Sequence, residues 1–258
     1  MSEIRRPPLP AFRRLIGPLD HSLLRLADGH LGPSETERLR WLWLDGLFAT
    51  ISLSFYSSFM GLFAAAYGAS NVQVGQLTAI ASLCGMVALL PGARAIEWFG
   101  GGRKALVLLF GGGLGRAALL IWALLPFFSP DPGGAFALIL IANAMIGIAN
   151  NFANPAWTAM VADIVPREIR GRFFAHRSVA VNMPTLLVVP FAGWLIHAGS
   201  RPAAPLAGYQ LVFGLAFLTG MVATVAFSRL RRQPVAVMAG RRVGLQEPDS
   251  KQKGCVRQ

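Results

Sequence analysis

The chain has 258 residues, 54% hydrophobic and 14% charged, with a net charge of +12, a mean hydropathy of +0.51 and a pI of about 11.3. A soluble domain carries about 25% charged residues, so too few polar side chains are present to cover a water-facing surface. The basic residues lie between apolar blocks and at both ends, which fits loops beside a membrane better than a nucleic-acid surface, and no nucleic-acid partner is expected.

Residues 1–40 form a basic cytoplasmic arm. It is Arg- and Pro-rich without a continuous apolar core, which is not the pattern of a signal peptide. Leu15, Ile16, Leu19, Leu23, Leu24 and Leu26 stand among its arginines. Two readings stay open: a broken amphipathic helix on the anionic inner leaflet, interrupted at Pro18, or a disordered basic leader.

Residues 41–230 hold six apolar blocks: Trp41–Tyr67, Val72–Ile96, Ala105–Phe127, Phe136–Val161, Phe173–His197 and Tyr209–Leu230. A bilayer core of about 30 Å needs roughly 20 residues of helix. Barrel strands would be shorter and alternate in polarity, and a helix in hydrocarbon satisfies its own backbone. The expected fold class is all-α, a polytopic bundle of about six transmembrane helices in a lipid bilayer. Residues 231–258 are a polar tail, expected in the cytoplasm; it reads as a linker cut short or a frameshifted end.

Lys and Arg set the orientation. They crowd the arm, the connection after span two (Arg103, Lys104), the one after span four (Arg167, Arg170, Arg172) and the tail. The opposite connections hold only Arg201. Both termini are therefore expected on the cytoplasmic side of the plasma (inner) membrane.

Polar groups inside spans are the candidate functional residues, because they are costly against lipid. Span four places Asn143, Gly147, Asn150 and Asn154 on one helical face, and span one repeats the spacing with Thr50, Ser54, Ser57 and Gly61. Such a stripe faces either a cavity or a neighbouring helix. Cavity lining is the reading taken for Asn150, and packing for the serines of span one. Arg116 stands near the middle of span three. Asp45, the sole acid inside a span, is a possible coupling group or simply well placed near a helix N-terminus. Its depth differs from that of Arg116 by roughly 10 Å, so direct pairing is not expected.

Gly111–Gly113 and Gly115 mimic a nucleotide loop, but they lie inside a span and lack the final glycine and following acid. The four histidines are dispersed, and Cys84 and Cys255 have no framework spacing. No metal, cofactor or catalytic pattern is expected, and the chain is not read as an enzyme.

Between spans two and three stands Gly92-Ala-Arg-Ala-Ile-Glu97-Trp-Phe-Gly100-Gly-Gly-Arg103-Lys104. Here Glu97 is expected just before the N-terminus of span three, where the helix dipole favours an anion. This turn resembles the cytoplasmic signature of the major facilitator superfamily of secondary transporters, Gly-x-x-x-Asp-Arg-x-Gly-Arg-Arg/Lys. It departs by Glu97 for Asp, Gly92 one residue early, Trp98 for Arg and one extra glycine. Asp163-Ile-Val-Pro166-Arg167-Glu-Ile-Arg170-Gly171-Arg172 resembles the family's connection between helices four and five. Pro190-Phe-Ala-Gly193 is a fainter echo of an antiporter motif whose preceding glycines are missing here.

The resemblance covers residues 41–232, one six-helix half of a twelve-helix family. It implies alternating access about a central site for a small-molecule substrate, with a second half or a homodimer as partner. It makes helices one, two, four and five cavity-lining, and the cavity candidates taken from the polar residues inside the spans are Ser54, Arg116, Asn150 and Asn154. It makes Gly92, Glu97, Gly100, Arg103, Lys104, Asp163, Arg170 and Arg172 a conformational element. The rival reading is a non-transporting six-helix scaffold or regulatory subunit.

Overall fold

The computed structural model describes residues 33–98, 102–128, 131–165, 169–202 and 204–230. Residues 1–32 of the arm, residues 231–258 of the tail and Gly100 lie outside the described residues, while residues 33–40 of the arm belong to the first helix, Pro33–Ser57. Six helical spans are long and apolar enough to cross a membrane: Thr36–Ala66, Asn71–Trp98, Arg103–Phe128, Pro132–Ile164, Arg170–Gly199 and Ala207–Ser228. Among the described residues the one β feature is an isolated bridge between Arg201 and Ala204. The chain is an all-α polytopic membrane bundle.

Local chemistry explains where the spans differ from plain apolar rods. Span four begins at Pro132, ahead of its apolar run. Asp131 caps it by accepting from the Gly134 N–H at 2.6 Å, and Pro132 brings a helical φ to the first turn. Span one pauses between Ser57 and Met60, which breaks its polar stripe: Ser54 is buried whereas Ser57 is exposed. Span five pauses at Met183 and Pro184, where proline withholds a backbone donor. In span three the run Val107–Leu114, glycines included, winds as a π-helix. π segments gather at functional sites, and this one forms part of a cavity wall.

Span two packs along span four, and span one along span six. The first pair approaches so closely that a Cβ on Gly92 would meet the Phe152 backbone, and one on Gly147 the Ala81 carbonyl. Small residues at such a crossing let two backbones meet and gain dispersion contact. Asn143 fastens the same pair, donating from Nδ2 to the Leu77 carbonyl at 2.7 Å.

The two ends of the bundle differ. Phe63, Trp122 and Phe213 are fully buried at one end, with the Trp122–Phe213 and Phe63–Phe213 ring centroids 5.4 and 4.8 Å apart. The Trp122 indole donates to the Ile139 carbonyl at 3.3 Å. The opposite end carries Arg103, Lys104, Asp163 and Arg170. Outward faces expose Leu83, Val87, Leu90, Leu186, Leu187 and Trp194, apolar surface that suits lipid and would be a liability in water.

Candidate functional site

Within the half of the bundle nearer the charged end lie two open-sided chambers of about 170 and 250 Å³. They share Asp45 and Ala49 of span one, Arg116 of span three, and Asn150 and Trp157 of span four. The first adds Gly111, Gly112, Asn154 and Thr224. The second adds Thr50, Tyr56 and Arg177. Spans one, three, four, five and six therefore all contribute to one polar interior.

Each charge there has a constructed seat. Arg116 crosses to Gly220 of span six, where a Cβ would stand 2.7 Å from its Nε. Its Nη1 donates to the Ser52 hydroxyl at 3.2 Å, and Ser52 donates onward to the Ala216 carbonyl at 2.6 Å. Arg177 lies against Gly46, where a Cβ would clash with its guanidinium, and over the Trp157 ring at 5.5 Å. That is a cation–π distance. The Asp45 carboxylate faces Arg177, accepts from the Trp157 indole and lies within electrostatic reach of Arg116. Tyr56 hydrogen-bonds Asn150 and also faces Arg116.

Of the sequence candidates, Asp45, Arg116, Asn150 and Asn154 meet in this cavity. Ser54 does not line it. Its hydroxyl donates to the Thr50 carbonyl at 2.8 Å and pairs with Thr185 Oγ1 at 3.0 Å, joining span one to span five. Span four's stripe divides: Asn143 and Gly147 meet span two, while Asn150 and Asn154 meet the cavity. Sequence reasoning passed over Ser52, Tyr56, Trp157 and Arg177. The available signal for Arg177 was Gly46, a glycine next to the intramembrane acid.

A family model described as Major Facilitator Superfamily matches residues 42–252. The chain belongs to the Major Facilitator Superfamily, a family of membrane transporters. No curated protein and no solved structure matches it.

In this superfamily member the two basic connections meet. Arg103 Nη1 pairs with Asp163 Oδ2 at 2.8 Å, both side chains partly exposed. Lys104 Nζ donates to the Leu230 carbonyl at 2.7 Å and to the Ser228 carbonyl, and Arg170 donates to the carbonyls of Ala162 and Val165 at 2.5 and 3.1 Å. Both cations occupy helix C-termini, where the dipole favours positive charge. Arg172 is exposed on span five. Gly92 is buried inside span two, within the bounds expected for that span, and marks its crossing with span four. One expectation for the first connection, that for Glu97, needs correction. Glu97 is exposed in the last turn of span two, because that helix runs on to Trp98. The dipole there disfavours an anion, so helix-end stabilisation does not account for it.

Proposed function

We propose that the chain is one six-helix half of a secondary active transporter that moves a small solute by alternating access. The observation that carries this reading is the cavity in which Asp45, Arg116, Asn150 and Arg177 converge from four spans. Ionisable groups inside a membrane bundle are costly and rare, and they commonly mark a solute or ion pathway. Liquid water takes about 30 Å³ per molecule, so the chambers suit a solute the size of a few waters rather than a polymer.

The positive-inside rule supports placing the Arg103 end, and both termini, in the cytoplasm of a plasma membrane. In that orientation the polar chambers lie in the cytoplasmic half and the Phe63–Trp122–Phe213 cluster closes the outer half. This is an inward-accessible arrangement, with the Arg103–Asp163 connection as its conformational element. Spans two and five are the least covered, which supports a second bundle, or a second copy, against them. Asp45 is the candidate coupling acid.

Uptake of a panel of labelled small solutes into proteoliposomes tests the reading, with and without an imposed proton gradient. The expected result is saturable flux of at least one solute, with accumulation driven by the gradient lost in Asp45→Asn. A lack of flux in monomeric, dimeric and partner-bound forms would sink it in favour of a scaffold.

A further inference from the structure

We propose that the cavity binds an anionic solute, a small carboxylate or phosphate held between Arg116 and Arg177. The proposal rests on the transport reading for its physiological setting, but its test does not require transport.

The argument is one of charge and of open donors. Three ionisable side chains face the chambers: Asp45, Arg116 and Arg177. A single carboxylate stands against two guanidiniums, so the interior is one negative charge short. An unbalanced cation inside a bilayer-spanning bundle is expensive, and a bound monoanion removes the imbalance.

Donor accounting points the same way. Arg116 Nε and Arg177 Nε are buried without a hydrogen-bond partner. Arg116 donates to the neutral Ser52 hydroxyl, and Arg177 rests on the Trp157 ring with Asp45 facing it. A guanidinium presents five N–H donors in a planar fork matched to carboxylate and phosphate. Two such forks, one from span three and one from span five, border one polar chamber. Asn150 and Tyr56 stand on its wall as neutral hydrogen-bonding groups, suited to the uncharged end of the solute.

The seats of the two arginines set this apart from a chance pairing. Gly46 and Gly220 each leave the space a guanidinium occupies, so both cations are held at the cavity wall. Asp45 then acts as a resident competitor: it partly neutralises Arg177 when the solute is absent and is displaced when an anion arrives.

The test is titration of the purified full chain in neutral detergent, read by tryptophan fluorescence, since Trp157 lines both chambers. The probes are lactate, succinate and inorganic phosphate, against lactamide as neutral isostere and choline as cation. At least one anion is expected to bind and the two controls to fail. Arg116→Gln and Arg177→Gln should each weaken binding by roughly tenfold or more, as expected for a lost charge-assisted hydrogen bond. The Lys variants should lose less. Asp45→Asn should tighten binding by removing the competitor, and it serves if the Gln variants do not fold. Equal binding of lactate and lactamide overturns the proposal. So does an affinity unchanged in the Gln variants, or no binding of any anion. Adding phosphatidylglycerol separates a free solute from a lipid headgroup; tight lipid binding that excludes every soluble anion overturns assignment to a solute. Anion binding without flux leaves this proposal standing while the transport reading falls. Flux of a neutral or cationic solute without anion binding does the reverse.

Discussion

Arg116 of span three lies across Gly220 of span six, its Cδ, Nε and Cζ all within 2.8 Å of the place a Cβ would take. Gly220→Ala therefore sets two effects against each other. Alanine favours a helix interior over glycine by roughly 0.5–1 kcal/mol, but its methyl pushes the guanidinium off its seat and away from Ser52. Thermal stability in detergent should change little, while affinity for the anion probes falls several-fold. Unchanged affinity would mean that Arg116 relaxes into an equivalent position and that the glycine is not its seat.

The Arg103–Asp163 pair gives the opposite pattern. It is partly exposed at the bundle end, and pairs of that kind contribute about 0.2–1 kcal/mol. Asp163→Asn is expected to lower stability by no more than that and to leave anion binding intact. Transport should slow if the pair holds one access state. Exchanging the two charges, Arg103→Asp with Asp163→Arg, should restore the rate, which a merely structural contact at a helix end would not require.

Gly92 and Gly75 lie in the same helix and should respond in opposite ways to alanine. A methyl at Gly92 meets the Phe152 backbone, which cannot move aside, whereas Gly75 has open space around it. Gly92→Ala should cost about 1–3 kcal/mol through overpacking and lower the melting temperature measured by circular dichroism in detergent. Gly75→Ala should leave it unchanged or raise it. Equal effects would place the span-two crossing elsewhere.

Several of these relationships were visible in the sequence and others were not. The spans were, because a bilayer demands long apolar runs that nothing else in the chain imitates. Arg116 and Asn150 stood out because polar groups in such runs are rare. Arg177 did not. It follows Arg170, Arg172 and His176 at the start of span five, where a basic residue reads as interfacial. Only the packing of span five over Gly46 draws it inward. Ser52 escaped for a related reason: its partner is the Ala216 carbonyl of span six, and a long-range contact leaves no local periodicity. Gly92 fell inside the expected span two, but its partner, the Phe152 backbone of span four, is a long-range contact that the sequence does not display.

Asn143 and Asn150 share one stripe of span four and separate its two uses. Asn143 donates from Nδ2 to the Leu77 carbonyl in a buried setting, so Asn143→Ala should cost stability, by about 0.6–2 kcal/mol on the scale of interhelical hydrogen bonds in membranes. Asn150 borders both chambers and hydrogen-bonds Tyr56. Asn150→Ala should weaken solute binding or flux severalfold while moving the melting temperature less than the Asn143 change does. Melting curves and titrations on the two variants, taken side by side, decide the matter. If both lose only stability, the stripe is packing along its whole length, and the solute contacts must come from the arginines and Tyr56 alone. If both lose only binding, the chamber extends further between spans two and four than Gly147, wedged against the Ala81 carbonyl, leaves room for.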